Sequence, residues 1–218
     1  MLDDFLSCSR KAYYRLNKPE LAVQNKEMVI GEIVHSAIEK YWELIPAACF
    51  YAIGEIKSRV DGDKTSENFA LNCIHNYFEH FRKHLTYDGK AEVKFKIPLE
   101  KDVFIVGKMD RVDAGNVFDW KTARTPPTNI SNSVQFAVYN WAYKRLYNAT
   151  PSGVYYAALT NGKLIRYMET PAAESILFDE VIPQALKAIR GRDYPRNGLF
   201  RKACFRCSYL EACTGGGG

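Results

Sequence analysis

The sequence has no run of apolar residues that approaches the roughly 18 needed for a membrane-spanning helix. Its first ten residues carry acids, whereas a secretory signal peptide has a basic start followed by an apolar stretch. No internal repeat is present, and the one low-complexity segment is the tail Gly215 to Gly218, which is either a flexible end or a leftover of cloning. We therefore expect a cytoplasmic protein with no membrane contact, built as one globular domain over residues 1–218.

A strong charge of one sign is also lacking, because a formal net charge of +5 is too small to identify a partner. Basic residues nevertheless concentrate near both ends of the chain. They are Arg10, Lys11, Arg15 and Lys18 at one end and Lys187, Arg190, Arg192, Arg196, Arg201, Lys202 and Arg206 at the other. If the two ends meet, they form a basic surface suited to phosphates. The alternative is two ordinary solvated faces.

Apolar residues recur at spacings of three and four from Glu27 to Leu44, which predicts an amphipathic helix. A second helical pattern has an even spacing of four, at Phe69, Cys73, Tyr77, Phe81 and Leu85. Later helices are predicted at about 134–146 and 173–189.

A period of two begins at Glu92 and predicts three antiparallel strands, at 92–99, 103–106 and 117–120. A hairpin follows, with strands at 154–159 and 164–168 joined by an Asn161-Gly162 turn. Helices first, a mixed sheet in the middle and helices packed on that sheet predict an α/β fold.

The segment 107–121 is predicted to form two strands joined by a two-residue Gly115-Asn116 turn. That turn would pair Ala114 with Val117, Val112 with Asp119, and Asp110 with Lys121. Because side chains alternate along a strand, Asp110, Asp119 and Lys121 then share one face. Phe118 and Trp120 point to the other side, into the core.

Two carboxylates within roughly 7 Å, beside an ammonium, suit a hard divalent cation such as Mg²⁺ or Mn²⁺. In such a site Lys121 would orient or help deprotonate an attacking water, or offset charge on a phosphoryl transition state. The alternative is a cross-strand salt bridge without catalytic function. The motif alone leaves both interpretations open.

Two further motifs lie on predicted helices. In Gly31-x-x-x-His35 a glycine one turn before the histidine permits close backbone approach, and His35 is a candidate third metal ligand. Gln135-x-x-x-Tyr139 puts an amide and a phenol on one helical face. The alternative for both motifs is packing, and Glu92 on the first strand is a further acidic residue near the predicted site.

Taken in order, four motifs resemble those of RecB-type nucleases in the PD-(D/E)XK superfamily: Gly31-x-x-x-His35, Gly107-x-x-Asp110, Asp119-x-Lys121 and Gln135-x-x-x-Tyr139. The resemblance implies a restriction-endonuclease-like core, with a mixed central sheet flanked by helices. It implies that Mg²⁺ or Mn²⁺ is held by His35, Asp110, Asp119 and the main-chain carbonyl of Trp120. It further implies catalytic roles for Asp110, Asp119 and Lys121, with Gln135 and Tyr139 supporting the site or contacting DNA.

Six cysteines in a chain expected to be cytoplasmic argue against a disulfide framework. Cys49 and Cys73 have apolar helical surroundings and are predicted core residues. The thiols of Cys204-x-x-Cys207-x5-Cys213 need one more ligand, and Cys8 has a matching basic and aromatic context.

One remote cysteine plus C-x2-C-x5-C resembles the iron–sulfur branch of these nucleases, which includes AddB-type nuclease domains and CRISPR-associated four-cysteine exonucleases. The resemblance implies a [4Fe-4S] cluster, held by Cys8, Cys204, Cys207 and Cys213, that staples the chain ends together. The alternative is a structural Zn²⁺ site with four thiolate ligands. The domain would comprise a helical part at about 27–90, a catalytic sheet core at 91–170 and cluster-binding ends at 1–18 and 195–213.

The resemblance extends from Phe5 to Cys213 but lacks helicase motifs and a G-x-x-x-x-G-K-[ST] loop, so it implies a stand-alone nuclease or a detached subunit. We predict a deoxyribonuclease, mainly an exonuclease on single strands or ends, in DNA repair, recombination, CRISPR adaptation, antiviral defence or viral genome processing. Its partners would be DNA and a helicase, recombination or CRISPR integration protein. The alternatives are an iron–sulfur DNA-binding or assembly protein with weak or no nuclease activity, and a redox sensor.

Overall fold

A computed structural model describes residues 2–60, 63–196, 198, 203–204 and 207–215. The contacts of the chain group it into two compact units. The larger unit is Lys26–Glu169, and the smaller one consists of the two ends, Met1–Asn25 and Thr170–Gly218. Among the helices of the described residues, none has both the length and the apolar character needed to cross a membrane.

The helices are α1 (Leu2–Ser7), α2 (Ser9–Asn17), α3 (Lys26–Lys40), α4 (Ile45–Arg59), α5 (Lys64–Asn76), α6 (Val134–Tyr147), α7 (Pro171–Ser175), α8 (Ile182–Gly191) and α9 (Leu210–Thr214). The strands are β1 (Lys90–Glu100), β2 (Val103–Asp113), β3 (Asn116–Lys121), β4 (Gly153–Ala158) and β5 (Lys163–Arg166). Shorter helical turns lie at Pro19–Leu21, Tyr77–Phe81, Arg82–His84 and Ile176–Val181.

Within the described residues the strands form one five-stranded sheet in the order β1-β2-β3-β4-β5. All neighbouring strands are antiparallel except β3 and β4, which are parallel and are connected through α6. A parallel pair needs a crossover of this kind, usually a helix. The predicted mixed sheet and α/β class are confirmed, in an arrangement consistent with a restriction-endonuclease-like core.

The turn between β2 and β3 differs from the prediction by one residue. Its central residues are Ala114 and Gly115, with φ of 46° and 80°, and a type I′ turn requires positive φ at both positions. The observed pairs are Arg111 with Phe118, Val112 with Val117, and Asp113 with Asn116.

The predicted Gly115-Asn116 turn is therefore wrong, together with its pairing of Ala114 with Val117, Val112 with Asp119, and Asp110 with Lys121. Moving a two-residue turn by one position changes each cross-strand pairing by two residues. Because side chains repeat every two residues along a strand, the faces do not change. Asp110 and Asp119 therefore still lie on the same face.

Helices α3, α4 and α5 cover the face of the sheet opposite to that of Asp110 and Asp119. There Trp120 is buried, and its ring meets those of Tyr77 and Phe81 with centroids 5.3 and 5.7 Å away. Phe118 is partly buried and stacks on Trp120 at 5.6 Å. The prediction that Phe118 and Trp120 point into the core is confirmed.

The segment with apolar residues at a spacing of four, which begins at Phe69, forms a helix whose last part widens into a π-helical turn at Tyr77–Phe81. On an α-helix of 3.6 residues per turn, a strict spacing of four rotates by about 40° at each step and leaves the core. The wider turn corrects that drift, since Tyr77, Phe81 and Leu85 are all buried.

Helix α6 covers the other face of the sheet, where the Phe136 ring lies 6.2 Å from that of Tyr156 on β4. The helix ends at Tyr147, and the next residue, Asn148, has a left-handed φ of 49°. This face receives the side chains of Asp119 and Lys121, which alternate with the buried Trp120.

In the smaller unit the two chain ends pack on each other. The Tyr14 hydroxyl donates to the Ala212 carbonyl at 2.9 Å, and the Tyr14 ring stacks on Tyr209 at 5.6 Å. Lys11 and Arg15 are paired with the buried Asp4 at 2.7 and 2.8 Å, which neutralises part of the predicted basic surface. Arg201, Lys202 and Arg206 lie outside the described residues.

A buried ion pair fixes the end of β2 to the segment that precedes β1. Asp113 accepts hydrogen bonds from Arg111 Nε and Nη2 at 3.1 and 2.8 Å and from the Thr86 backbone and hydroxyl at 3.0 and 2.9 Å. Asp113 and Arg111 are only 3% and 5% exposed. Removing either partner leaves the other as a buried, uncompensated group.

We expect Asp113→Ala to lower the free energy of unfolding by about 3–5 kcal/mol, because a guanidinium would stay buried without its carboxylate. As a control, Glu55→Ala removes an exposed pair with Arg59 on α4 and should cost about 0.5 kcal/mol or less. Urea unfolding followed by circular dichroism measures both. Equal losses in the two variants would contradict this assignment.

Candidate active site

The site forms where β2 and β3 separate beyond the pair of Arg111 with Phe118. Asp110 on β2 and Asp119 on β3 are 9% and 2% exposed, and together they are called the aspartate pair below. The Trp120 backbone N–H donates to Asp110 Oδ2 at 2.8 Å. The Asp110 carboxylate thus takes the place of a main-chain acceptor for the Trp120 N–H, and this hydrogen bond holds the Asp110 side chain between the strands.

Two side chains of α6 hold Asp119. Gln135 Nε2 donates to Asp119 Oδ1 at 2.9 Å and to the Tyr139 hydroxyl at 2.9 Å. The Tyr139 oxygen lies 3.2 Å from Asp119 Oδ1 but only 2.7 Å from the Lys108 carbonyl. A phenol has one proton, and the carbonyl is its nearer acceptor, so Gln135 is the principal donor to Asp119.

The second oxygen of Asp119 has a charged partner instead. Oδ2 is buried, and the Lys121 ammonium stands 2.6 Å away as an ion pair. The Lys121 side chain is 32% exposed, so its ammonium reaches both the buried carboxylate and solvent. Sequence reasoning predicted this proximity, and the structure brings the two groups together.

His35 on α3 completes the arrangement. Its Nδ1 lies 3.6 Å from Asp110 Oδ2. A Cβ on Gly31 would stand 3.0 Å from Thr122 Oγ1, which shows how closely α3 approaches the end of β3.

The electrostatics of the site follow from burial. Burial raises the pKa of both Asp110 and Asp119 to about 6, although the Lys121 ammonium opposes the rise. Burial also lowers the pKa of His35, which favours the neutral imidazole that can act as a metal ligand. Near neutral pH two largely ionised buried carboxylates therefore share one ammonium, and this imbalance favours a further cation.

These groups fit a divalent metal by their chemistry. In the part of the chain that the structure describes, no three His, Cys, Asp or Glu side chains are arranged as a formed metal site. The carboxylates instead take the Lys121 ammonium and the Trp120 N–H as partners. Carboxylate and carbonyl oxygens are preferred ligands of Mg²⁺ and Mn²⁺, and the buried Asp119 Oδ2 has a lone pair to offer.

Sequence reasoning missed Tyr156. It is the register partner of Asp119 on β4, and its buried hydroxyl has no hydrogen-bond partner among the described residues. A parallel pairing across α6 leaves no local signal in the sequence. Glu92 has a left-handed φ of 53° and lines the same cavity as Asp110, near the site as predicted.

The four predicted cluster cysteines lie in the smaller unit, where no three of them are arranged as a formed metal site among the described residues. Cys8, Cys204, Cys207 and Cys213 line one cavity of about 20 Å³. A Cβ on Gly198 would stand 2.9 Å from Cys8 Cβ and 3.4 Å from Cys204 Sγ, so a glycine leaves room for these thiols. Burial, and then the other three thiols, raise the pKa of Cys204.

The other two cysteines lie in or against the core of the larger unit. Cys73 is fully buried, and burial raises its pKa to about 12. Cys49 is partly buried and packs against the same core. The prediction of a core residue is confirmed for Cys73, whereas Cys49 lies at the edge of the core.

Comparisons with known proteins give one family. A family model described as the PD-(D/E)XK nuclease superfamily matches residues 1–214. A search of curated proteins gives no match. The solved structure titled "Crystal structure of SSO0001" aligns with a TM-score of 0.41 and 15% sequence identity, over 96% of this chain and 94% of that chain. The family match spans both the sheet that holds the aspartate pair and the cysteine-bearing ends.

Burial of the aspartate pair predicts how stability depends on pH. Because the pKa values of about 6 lie above the unfolded value of about 3.9, the folded protein binds more protons between these limits. The contribution of the aspartate pair to the free energy of unfolding of metal-free protein should therefore be largest below about pH 4 and decrease as pH rises to about 6.

Asp119→Asn should remove part of this decrease in stability with rising pH. In metal-free protein we expect the variant to be more stable than wild type at pH 7.5, by on the order of 3 kcal/mol, and to approach wild type near pH 4. Asp88→Asn, at an exposed turn, should change little at either pH. Thermal and urea unfolding in EDTA test this expectation, and an Asp119→Asn variant that is less stable at every pH would refute it.

Proposed function

The chain belongs to the PD-(D/E)XK nuclease superfamily, and we propose that it is a Mg²⁺- or Mn²⁺-dependent deoxyribonuclease that hydrolyses phosphodiester bonds in single-stranded DNA or at DNA ends. Superfamily membership itself indicates a phosphodiesterase with a nucleic-acid substrate. The observation that carries the proposal is the buried aspartate pair with the Lys121 ammonium 2.6 Å from Asp119 Oδ2.

Four groups from two strands and one helix would hold the metal. They are the carboxylates of Asp110 and Asp119, the imidazole of His35 and the main-chain carbonyl of Trp120. A divalent cation bound there supplies Lewis-acid polarisation of a phosphate oxygen. The protein contributes rigid placement, because each carboxylate already has one oxygen fixed by a hydrogen bond.

Lys121 supplies the mobile positive charge. With a cation bound at Asp119, the Lys121 ammonium would no longer be the only charge partner of that carboxylate and would be able to face the scissile phosphate from its partly exposed position. There it stabilises negative charge that develops in the transition state, or it orients the attacking water. Lys121 is therefore assigned as a catalytic residue.

Gln135 and Tyr139 are assigned as positioning residues for Asp119. Gln135 fixes Oδ1, and Tyr139 ties Gln135 to the Lys108 carbonyl of β2. Burial raises the pKa of Tyr139 well above its usual range, so the phenol stays protonated and keeps its donor role. This geometry favours support of the site over the alternative of direct DNA contact.

The choice of DNA with a free end or an unpaired strand rests on the four motifs that resemble RecB-type nucleases. The same resemblance supports a [4Fe-4S] cluster at Cys8, Cys204, Cys207 and Cys213. Support from the geometry is the single cavity that these four thiols line and the glycine beside it. A cluster there would reinforce hydrogen bonds that already join the two chain ends, such as that from the Val23 N–H to the Ser208 carbonyl at 2.8 Å.

We expect Lys121→Met to reduce Mg²⁺-dependent cleavage of end-labelled single-stranded DNA by at least about 100-fold, because one charge that stabilises the transition state is lost. Binding of the same DNA in EDTA should stay close to wild type. The control is Lys163→Met, on the exposed strand β5, which should keep full activity. If wild-type protein binds DNA but never cuts it with Mg²⁺ or Mn²⁺, the nuclease proposal is wrong, and the alternative of a DNA-binding or assembly protein takes its place.

Protein purified without oxygen should be brown and contain about four iron atoms per chain. Cys213→Ser should lose iron and visible absorption, whereas Cys49→Ser should keep both, because Cys49 packs against the core of the larger unit. Elemental analysis and the visible spectrum measure this. If the protein is colourless and contains stoichiometric zinc, the cysteines form the structural zinc site instead of the cluster, and the nuclease proposal is unaffected.

A further inference from the structure

A cavity of about 230 Å³ opens beside the aspartate pair. Asp110 and His35 of the site form part of its wall, and Trp42, Tyr77 and Tyr87 form an aromatic part. Pockets for drug-sized ligands are usually about 300–1,000 Å³, so this cavity fits a smaller group, of the size of one planar ring system. Its position makes it a continuation of the catalytic site.

One aromatic ring at this cavity is open to solvent. Tyr87 is 78% exposed, and its ring meets the edge of Trp42 with centroids 5.4 Å apart. Trp42 is itself held in place by the guanidinium groups of Arg82 and Arg111, which lie 4.0 and 4.8 Å from its ring centroid. Tyr87 is thus an exposed ring on a rigid support, which is the arrangement that binds unpaired bases by stacking.

The charges around the cavity favour a neutral ligand. Glu39 and Asp110 bring carboxylates to the wall. The other two charged groups of the wall are already paired, Glu92 with Lys108 and Arg111 with Asp113 at 2.8 Å. The remaining negative charge of the wall would repel a phosphate. It would not repel a neutral base, and carboxylates accept hydrogen bonds from amino groups such as that of cytosine.

We propose that this cavity receives one unpaired base of the substrate strand, stacked on Tyr87, next to the phosphate that is cleaved. The inference rests on the proposed nuclease function and gives it a specificity device. A base inside a duplex has both faces stacked and its hydrogen-bonding edge paired, so it must be flipped out before it can enter. The pocket therefore selects single strands over duplex DNA.

The test measures binding of a short fluorescent single strand in EDTA, where cleavage does not occur. Tyr87→Ala should weaken binding by roughly 5- to 100-fold, as loss of one stacked base does, while Tyr87→Phe keeps the ring and the wild-type affinity. Phe50→Ala removes another exposed ring, on α4 and 82% exposed, that is not part of the cavity wall, and should have no effect. Binding of duplex DNA of the same sequence should be unchanged in all variants.

A scan with single abasic nucleotides locates the stacked base. Wild-type affinity should drop when the missing base is at one particular position, and Tyr87→Ala should be insensitive at that position, because the two changes remove the same contact. Equal binding by wild type and Tyr87→Ala, or equal sensitivity of both proteins to every abasic position, would overturn the pocket.

Two readouts keep this inference separable from the proposed function. If wild-type protein cuts DNA with Mg²⁺ and Tyr87→Ala binds the single strand normally, the base pocket is refuted and the nuclease proposal stands. Wild-type protein that never cuts but shows the Tyr87-dependent abasic pattern refutes the nuclease and leaves a single-strand-binding pocket. Thermal unfolding checks that Tyr87→Ala stays folded, as its 78% exposure leads us to expect.

Discussion

Two carboxylates that lose water and face each other are unfavourable in a folded protein unless a cation or hydrogen-bond donors compensate them. Asp110 and Asp119 are in this situation, and the surrounding structure is arranged to hold them there. The strands separate so that the Trp120 N–H reaches Asp110, and α6 places Gln135 against Asp119. The remaining imbalance, at Asp119 Oδ2, is met by Lys121 in the metal-free protein and by a divalent cation in the proposed active form.

Such a site reduces stability, and the rest of the larger unit offsets that loss. The same strands that carry the aspartate pair also carry Trp120 and Arg111, which point to the opposite face of the sheet. Trp120 is packed among the rings of Tyr77 and Phe81, and Arg111 is anchored by Asp113. Alternation along each strand therefore places the aspartate pair on one face and the stabilising contacts of Trp120 and Arg111 on the other, and His35 reaches Asp110 from α3.

Alternation also explains how much the sequence could predict. The faces of Asp110, Asp119 and Trp120 were predictable, because an error of one position in a two-residue turn changes the pairing but not the faces. Helix α4 was not predicted separately, since small buried residues such as Ala48 and Ala52 give a weak periodic signal. Tyr156 and the aromatic cavity could not be predicted, because both depend on contacts between distant segments. The four cysteines were grouped by resemblance, and their shared cavity is geometry that the sequence does not contain.

The central claim is that the aspartate pair is a divalent-metal site. Its most direct test is the equilibrium binding of Mn²⁺ at pH 8, followed by electron paramagnetic resonance of the free ion, for wild type and Asp110→Asn. The account predicts that wild type binds Mn²⁺ at this site and that the variant binds it at least about 10-fold more weakly, because one of two charged oxygen ligands becomes a neutral amide. Equal Mn²⁺ binding by the two proteins would contradict the account.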